Sequence, residues 1–163
     1  MKHVEELLQH LDLETLEENL FRGESIDIGA PQVYGGQVLA QSLVAAMRTV
    51  PPERQVHSMH AYFILKGDFR KPLIYQVEKV RDGGSFTTRR VKAIQNGKTI
   101  FIVAFSFQIR EEGYAHQIQM PEVPGPEELP NRMEIMSKFA VDWPEPFKKA
   151  FLRERPIEFR PLE

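Results

Sequence analysis

The stretch Tyr34-Gly-Gly-Gln-Val-Leu-Ala-Gln-Ser-Leu-Val-Ala-Ala-Met-Arg-Thr-Val50 decides the fold. After Gly35-Gly36 it runs for about four turns at ~3.6 residues per turn with no Gly, Pro or acidic residue, and its polar positions are Gln37, Gln41, Ser42, Arg48 and Thr49. A helix apolar nearly all round cannot lie on a surface, so something must enclose it. Pro51-Pro52 is its expected end, because neither proline donates the next helical hydrogen bond.

The segment from Gln55 to Arg110 can do the enclosing. Gln55 to Lys66 alternates Val56, Ser58, His60, Tyr62 and Ile64 with His57, Met59, Ala61, Phe63 and Leu65, a pattern that predicts a strand covered on both faces. Leu73 to Arg81 and Phe86 to Gln95 read as strands joined by the hairpin turn Asp82-Gly83-Gly84-Ser85, and Asn96-Gly97 turns the chain into Thr99 to Gln108. That last strand, TIFIVAFSFQ, is apolar enough to lie mid-sheet against the helix. Upstream, Val4, Leu7, Leu8 and Leu11 mark a short amphipathic helix, and Glu18 to Gly23 an edge strand. The expected fold class is α+β: a hotdog, an antiparallel sheet wrapped around one buried helix, over residues 1–112.

Residues 113–163 should form a connector. Pro121, Pro124, Pro126 and Pro130 keep residues 113–130 out of any sheet. Short helices are expected at Arg132 to Ala140 and Glu145 to Arg153, and Pro156 to Glu163 reads as the beginning of another strand.

At 163 residues the chain has length for one ordinary domain. A net charge of −2, from 21 basic and 23 acidic residues, gives no global attraction to nucleic acid or anionic lipid. Without Cys there is no disulfide, thiolate metal site or Cys nucleophile. Acidic residues interrupt the first stretch where a signal peptide needs an apolar core, and no stretch approaches ~18 uncharged apolar residues. A cytoplasmic protein with no metal, cofactor, nucleic acid or membrane partner is expected.

Four features could carry chemistry. Gly35-Gly36-Gln37 at a helix start either presents backbone N–H groups to a carbonyl oxygen or phosphate, or lets the chain turn sharply. His57 and His60 lie three apart in a strand, face opposite ways and cannot share a metal; either alone serves as a base, a donor or a structural residue. Arg81, Arg89, Arg90, Lys92 and Lys98 either meet substrate phosphates or guard a sheet edge. Gln108 ends the most apolar strand and must find a partner, whether a water or a neighbouring backbone.

Several blocks carry a resemblance. Leu20-Phe21-Arg22-Gly23, Val33-Tyr34-Gly35-Gly36-Gln37-Val38-Leu39-Ala40-Gln41, Val56-His57-Ser58-Met59-His60-Ala61-Tyr62-Phe63, Arg81-Asp82-Gly83-Gly84-Ser85-Phe86 with Arg89-Arg90-Val91, and Ile94-Gln95-Asn96-Gly97-Lys98 together resemble the acyl-CoA thioesterase II family. The resemblance implies the amino-terminal half of a double-hotdog enzyme that hydrolyses fatty acyl-CoA to free acid and CoA. In that family an Asp, a Ser or Thr, and a Gln of the second hotdog direct the attacking water, so no catalytic residue transfers to this chain. The expected contribution here is pocket wall, with Gly36, Gln37, His57, Met59, Phe86 and Gln108 as candidates. CoA enters only as part of the substrate. A lone unit is expected to pair, with its own copy or with a separate second hotdog. The rival expectation is an acyl-CoA-binding or dimerisation module without hydrolysis.

Overall fold

The computed structural model describes residues 4–152 and 155–162. In chain order the elements are helix α1 (Val4–Leu11), strands β1 (Glu14–Glu17) and β2 (Leu20–Gly23), helix α2 (Gly35–Met47), strands β3 (Arg54–Phe63), β4 (Leu73–Asp82), β5 (Phe86–Gln95) and β6 (Lys98–Ile109), then helices α3 (Arg132–Phe139) and α4 (Glu145–Phe151). They fall into two compact units, Gln9–Glu112 and a second made of residues 4–8 with 113–152 and 155–162.

In the first unit all strand pairings are antiparallel and the order is β1-β2-β4-β5-β6-β3. Alternation along β5 and β6 builds the core: Val91, Ala93, Val103, Phe105 and Phe107 are buried on the face that meets α2. Each large apolar side chain buried there contributes roughly 1.5–3 kcal/mol. Helix α2 buries Val38, Ala45 and Ala46, and also Gln37, Gln41 and Ser42. This is the expected hotdog, α+β, with the helix packed across β2, β4, β5 and β6.

The turn chemistry agrees with the sequence. Asn96 and Gly97 take φ values of 51° and 72°, the left-handed pair a two-residue hairpin needs. Asn19, at φ 60°, turns β1 into β2.

Several expectations are corrected. Leu20–Gly23 is an inner strand rather than the edge, because β1 pairs outside it: the short, charged Glu14–Glu17 carries no apolar alternation to betray it. Helix α2 ends at Met47, before the prolines, where Arg48 caps it and reaches back to the Leu13 carbonyl and the Asp12 carboxylate. The largest departure concerns β3. Expected to be covered on both faces, it is the far edge of the sheet, with Met59 53%, Tyr62 62% and Phe63 65% exposed. It pairs with β6 alone.

In the second unit, α3 starts with a capping box in which Asn131 accepts from the Glu134 N–H and Glu134 accepts from the Asn131 N–H. Both helices lie where expected; Arg153, the expected end of the second, falls outside the described residues, as does Glu163. Residues 155–162 form no strand. Their backbone instead docks by the Phe159 carbonyl, which accepts from Arg132 N at 2.8 Å, and by Arg160, which donates to the carbonyls of Pro126 and Leu129.

Candidate functional site

The start of α2 meets the end of β3. A Cβ on Gly35 would lie 2.8 Å from Cε1 of Phe63, so only glycine allows this ring to close on the helix N-terminus. Tyr34, the residue before the helix, gives no side-chain cap to the first turn, and its carbonyl accepts from the N–H groups of Gln37 and Val38. The positive end of the helix dipole is thus presented beside an apolar ring. Between them opens a cleft of about 290 Å³ lined by Gly35, Val38, Phe63, Leu65, Lys66 and Ile100, among others. Phe63 stacks against Phe101 at 4.8 Å between centroids, and the Ile100 carbonyl accepts from both Ile64 and Leu65, which holds this corner of the cleft.

The candidate residues named from sequence do not converge on one place. Gly36 and Gln37 sit at the helix start. Gln37 is buried and its amide is engaged: Oε1 accepts from Ile26 N at 3.2 Å and Nε2 donates to the Glu24 carbonyl at 3.3 Å. Met59 stands opposite Phe105, on the helix-side face at the open edge. His57, Phe86 and Gln108 lie on the opposite face of the sheet. A bulge between Val56 and Ser58 leaves His57 without a cross-strand partner, and its Nε2 lies 2.8 Å from Ser106 Oγ. Its ring is 5.6 Å from that of Phe86, which stands opposite Gln108. The basic hairpin also divides: Arg89 is buried toward the end of α2, while Arg90 points away from the helix and pairs with Glu78.

Sequence reasoning missed the residue that ties this half together. Gln41, one turn after Gln37 on the same face, is 0% exposed. Its Nε2 donates to the carbonyls of His10 (2.9 Å) and Glu24 (3.1 Å), and its Oε1 accepts from the Tyr75 hydroxyl at 2.6 Å. A Cβ on Gly23 would meet the Gln41 amide at 2.8 Å, so the glycine that ends β2 makes room for it. Burial raises the Tyr75 pKa, keeping the phenol a neutral donor. The signal was available: two glutamines spaced by four in an otherwise apolar helix must bond something inside.

A family model of the acyl-CoA thioesterase N-terminal domain matches residues 24–108, which contain the α2 start, the cleft, β3 to β5 and all of β6 but its last residue. The chain belongs to this family. Acyl-CoA thioesterase 2 of Haemophilus influenzae is 47% identical over 154 residues, spanning 94% of this chain and 54% of that protein. Acyl-coenzyme A thioesterase 8 of Homo sapiens is 42% identical over 159 residues, spanning 93% and 50%. Among solved structures, acyl-CoA thioesterase II TesB2 from Mycobacterium marinum superposes with a TM-score of 0.69 at 49% identity, over 76% of this chain and 47% of that one. A protein with a hot dog fold from Alicyclobacillus acidocaldarius gives a TM-score of 0.65 at 25% identity. The chain spans about half the length of the curated relatives it matches.

Among the described residues no group of three or more His, Asp or Glu is placed to hold a metal, and no helix is long and apolar enough to cross a membrane.

Proposed function

We propose that this chain is the amino-terminal hotdog of an acyl-CoA thioesterase that hydrolyses fatty acyl-CoA to free acid and CoA, and that a second hotdog unit completes the active site along β3. One observation carries the reading. The edge strand β3 exposes Met59 and Phe63 on the face turned toward α2, and Phe63 lines an open cleft beside a helix N-terminus, so the site is half walled within this chain. A partner strand on β3 would pair the free edge and close the cleft at once.

In this assignment the second unit supplies the Asp, the Ser or Thr, and the Gln that orient the water. This chain supplies apolar wall around the acyl chain and the helix-terminal glycines Gly35 and Gly36 near the thioester. His57, Phe86 and Gln108, on the opposite face, then act outside the acyl pocket. Residues 1–112 are the hotdog and 113–163 the connector to its partner. The work is assigned to lipid metabolism in the cytoplasm, without metal or redox cofactor, in an assembly that pairs hotdog units.

The test mixes the chain with the remaining half of the Haemophilus influenzae relative. Co-elution on a sizing column and free-thiol release from a long-chain acyl-CoA are expected. Tight binding of a non-hydrolysable acyl-CoA with no hydrolysis by the mixture would favour a binding module instead, and failure of the halves to associate would refute the edge pairing.

A further inference from the structure

The cleft between the start of α2 and the end of β3 is apolar on two levels. Val38, Ile100 and Phe101 are buried beneath it, while Phe63 and Leu65 stand exposed at its border. Gly67 fixes this shape: a Cβ there would come within 3.0 Å of Ile100 Cδ1 and 3.1 Å of Val33 Cγ2, and the Gly67 carbonyl accepts from Val33 N at 3.0 Å. The close backbone approach makes the trench a built part of the fold. Its volume of about 290 Å³ lies at the lower end of small-ligand pockets, which run to roughly 300–1,000 Å³, and suits a medium-length alkyl chain.

Charge enters this lining at one point. Among the described residues Lys66 is the single ionised group of the cleft, no carboxylate faces it there, and its ammonium has neither an ion pair nor a hydrogen-bond partner. Lys66 is exposed, so its donors are open to a ligand. An apolar trench with one unpaired cation at its border matches an amphiphile with an anionic head. The ammonium also discriminates between two forms of the same acyl group: a hydrogen bond to a carboxylate oxygen is charged on both sides and stronger than one to the neutral carbonyl of an ester or thioester.

We propose that this cleft binds a free fatty acid, alkyl chain in the trench and carboxylate on Lys66 Nζ, and holds the acid more tightly than the esterified acyl group. The inference rests on the reading of the cleft as acyl wall and goes a step beyond it. Hydrolysis releases a carboxylate that gains an ion pair the thioester lacks, so the product acid stays in the cleft and competes with the next substrate.

Separate titrations of the full chain with octanoate and with methyl octanoate, followed in ¹⁵N–¹H correlation spectra at neutral pH and constant ionic strength, test it. Saturable shifts at the amides of Val38, Gly67 and Ile100 are expected with both ligands, octanoate binding roughly fivefold tighter. Lys66→Gln should bring octanoate down to the affinity of its ester and leave the ester unmoved. Leu65→Glu, at an exposed position where the fold tolerates it, sets an acid on the border and should weaken octanoate by a larger factor than the ester. Equal affinity for acid and ester in the wild type, octanoate binding unchanged by Lys66→Gln, or no saturable shift at these amides would overturn the proposal. The two readings fail separately: halves that do not associate refute the thioesterase assignment without moving these titrations, whereas a chain that associates and supports hydrolysis but takes up no octanoate refutes this inference alone.

Discussion

Replacing Gln41 by Leu tests whether a polar knot rather than apolar packing fastens the buried helix to the sheet. Leucine fits the space roughly and adds apolar surface, so a purely hydrophobic core would tolerate it. The structure argues otherwise. The substitution removes three hydrogen bonds, each contributing about 1 kcal/mol net, and leaves the Tyr75 hydroxyl and the His10 carbonyl without this partner, while the Glu24 carbonyl keeps Gln37. Tyr75 is 0% exposed, and a stranded buried hydroxyl costs a further 1–3 kcal/mol or so. Set against about 1 kcal/mol gained from the leucine's added apolar surface, a loss of about 3–5 kcal/mol results, a large part of the roughly 5–15 kcal/mol typical of whole proteins. At about 2–4 °C per kcal/mol, Tm should fall by roughly 6–20 °C in thermal melts followed by far-UV circular dichroism. Adding Tyr75→Phe to Gln41→Leu should cost less than the two single losses summed, by about 0.5–3 kcal/mol, because the stranded hydroxyl is gone. A Gln41→Leu variant within about 0.5 kcal/mol of wild type, or strict additivity in the double variant, would refute the reasoning.

Arg89→Met should cost about 3–5 kcal/mol in urea denaturation, since it removes a buried charge and strands the Thr49 carbonyl; Arg89→Lys should recover less than half, an ammonium having three donors where the guanidinium has five. Burial lowers the pKa of His10 from 6.5, against smaller opposing effects of Gln37 and Glu24. The unfolded chain therefore takes the proton first, so this contribution is complete above about pH 6.5 and is lost as pH falls through it. His10→Gln should flatten the stability profile between roughly pH 7 and 5. Tyr62→Glu on the exposed edge should shift the mass seen by analytical ultracentrifugation toward that of the 18.9 kDa monomer while leaving the far-UV circular dichroism spectrum of the folded unit unchanged.

Much of the fold was legible because helix and sheet write different periods. The unbroken apolar run after Gly36 could only be an enclosed helix, and Asn96-Gly97 could only be a tight hairpin. The boundaries set by tertiary contacts were not legible. Arg48 ends α2 through contacts with Asp12 and Leu13, more than thirty positions away in the chain, and no local pattern announces that. Strand β3 is the instructive case. Apolar alternation on both faces says that a strand is covered but not which chain covers it, and here most of its length stands open. The candidate site was less legible. Strict alternation fails at His57, where a bulge breaks the register; Gln37 carries polar chemistry in the right place but spends it on Glu24 and Ile26.

The central claim is that this chain walls a thioesterase site whose chemistry resides in a second hotdog. Free-thiol release from a long-chain acyl-CoA, measured on the 163-residue chain alone beside the full-length Haemophilus influenzae relative, tests it most directly. The account predicts hydrolysis by the relative and only background release by the chain. Turnover well above background that co-purifies with the chain would contradict it and place the catalytic groups within these residues.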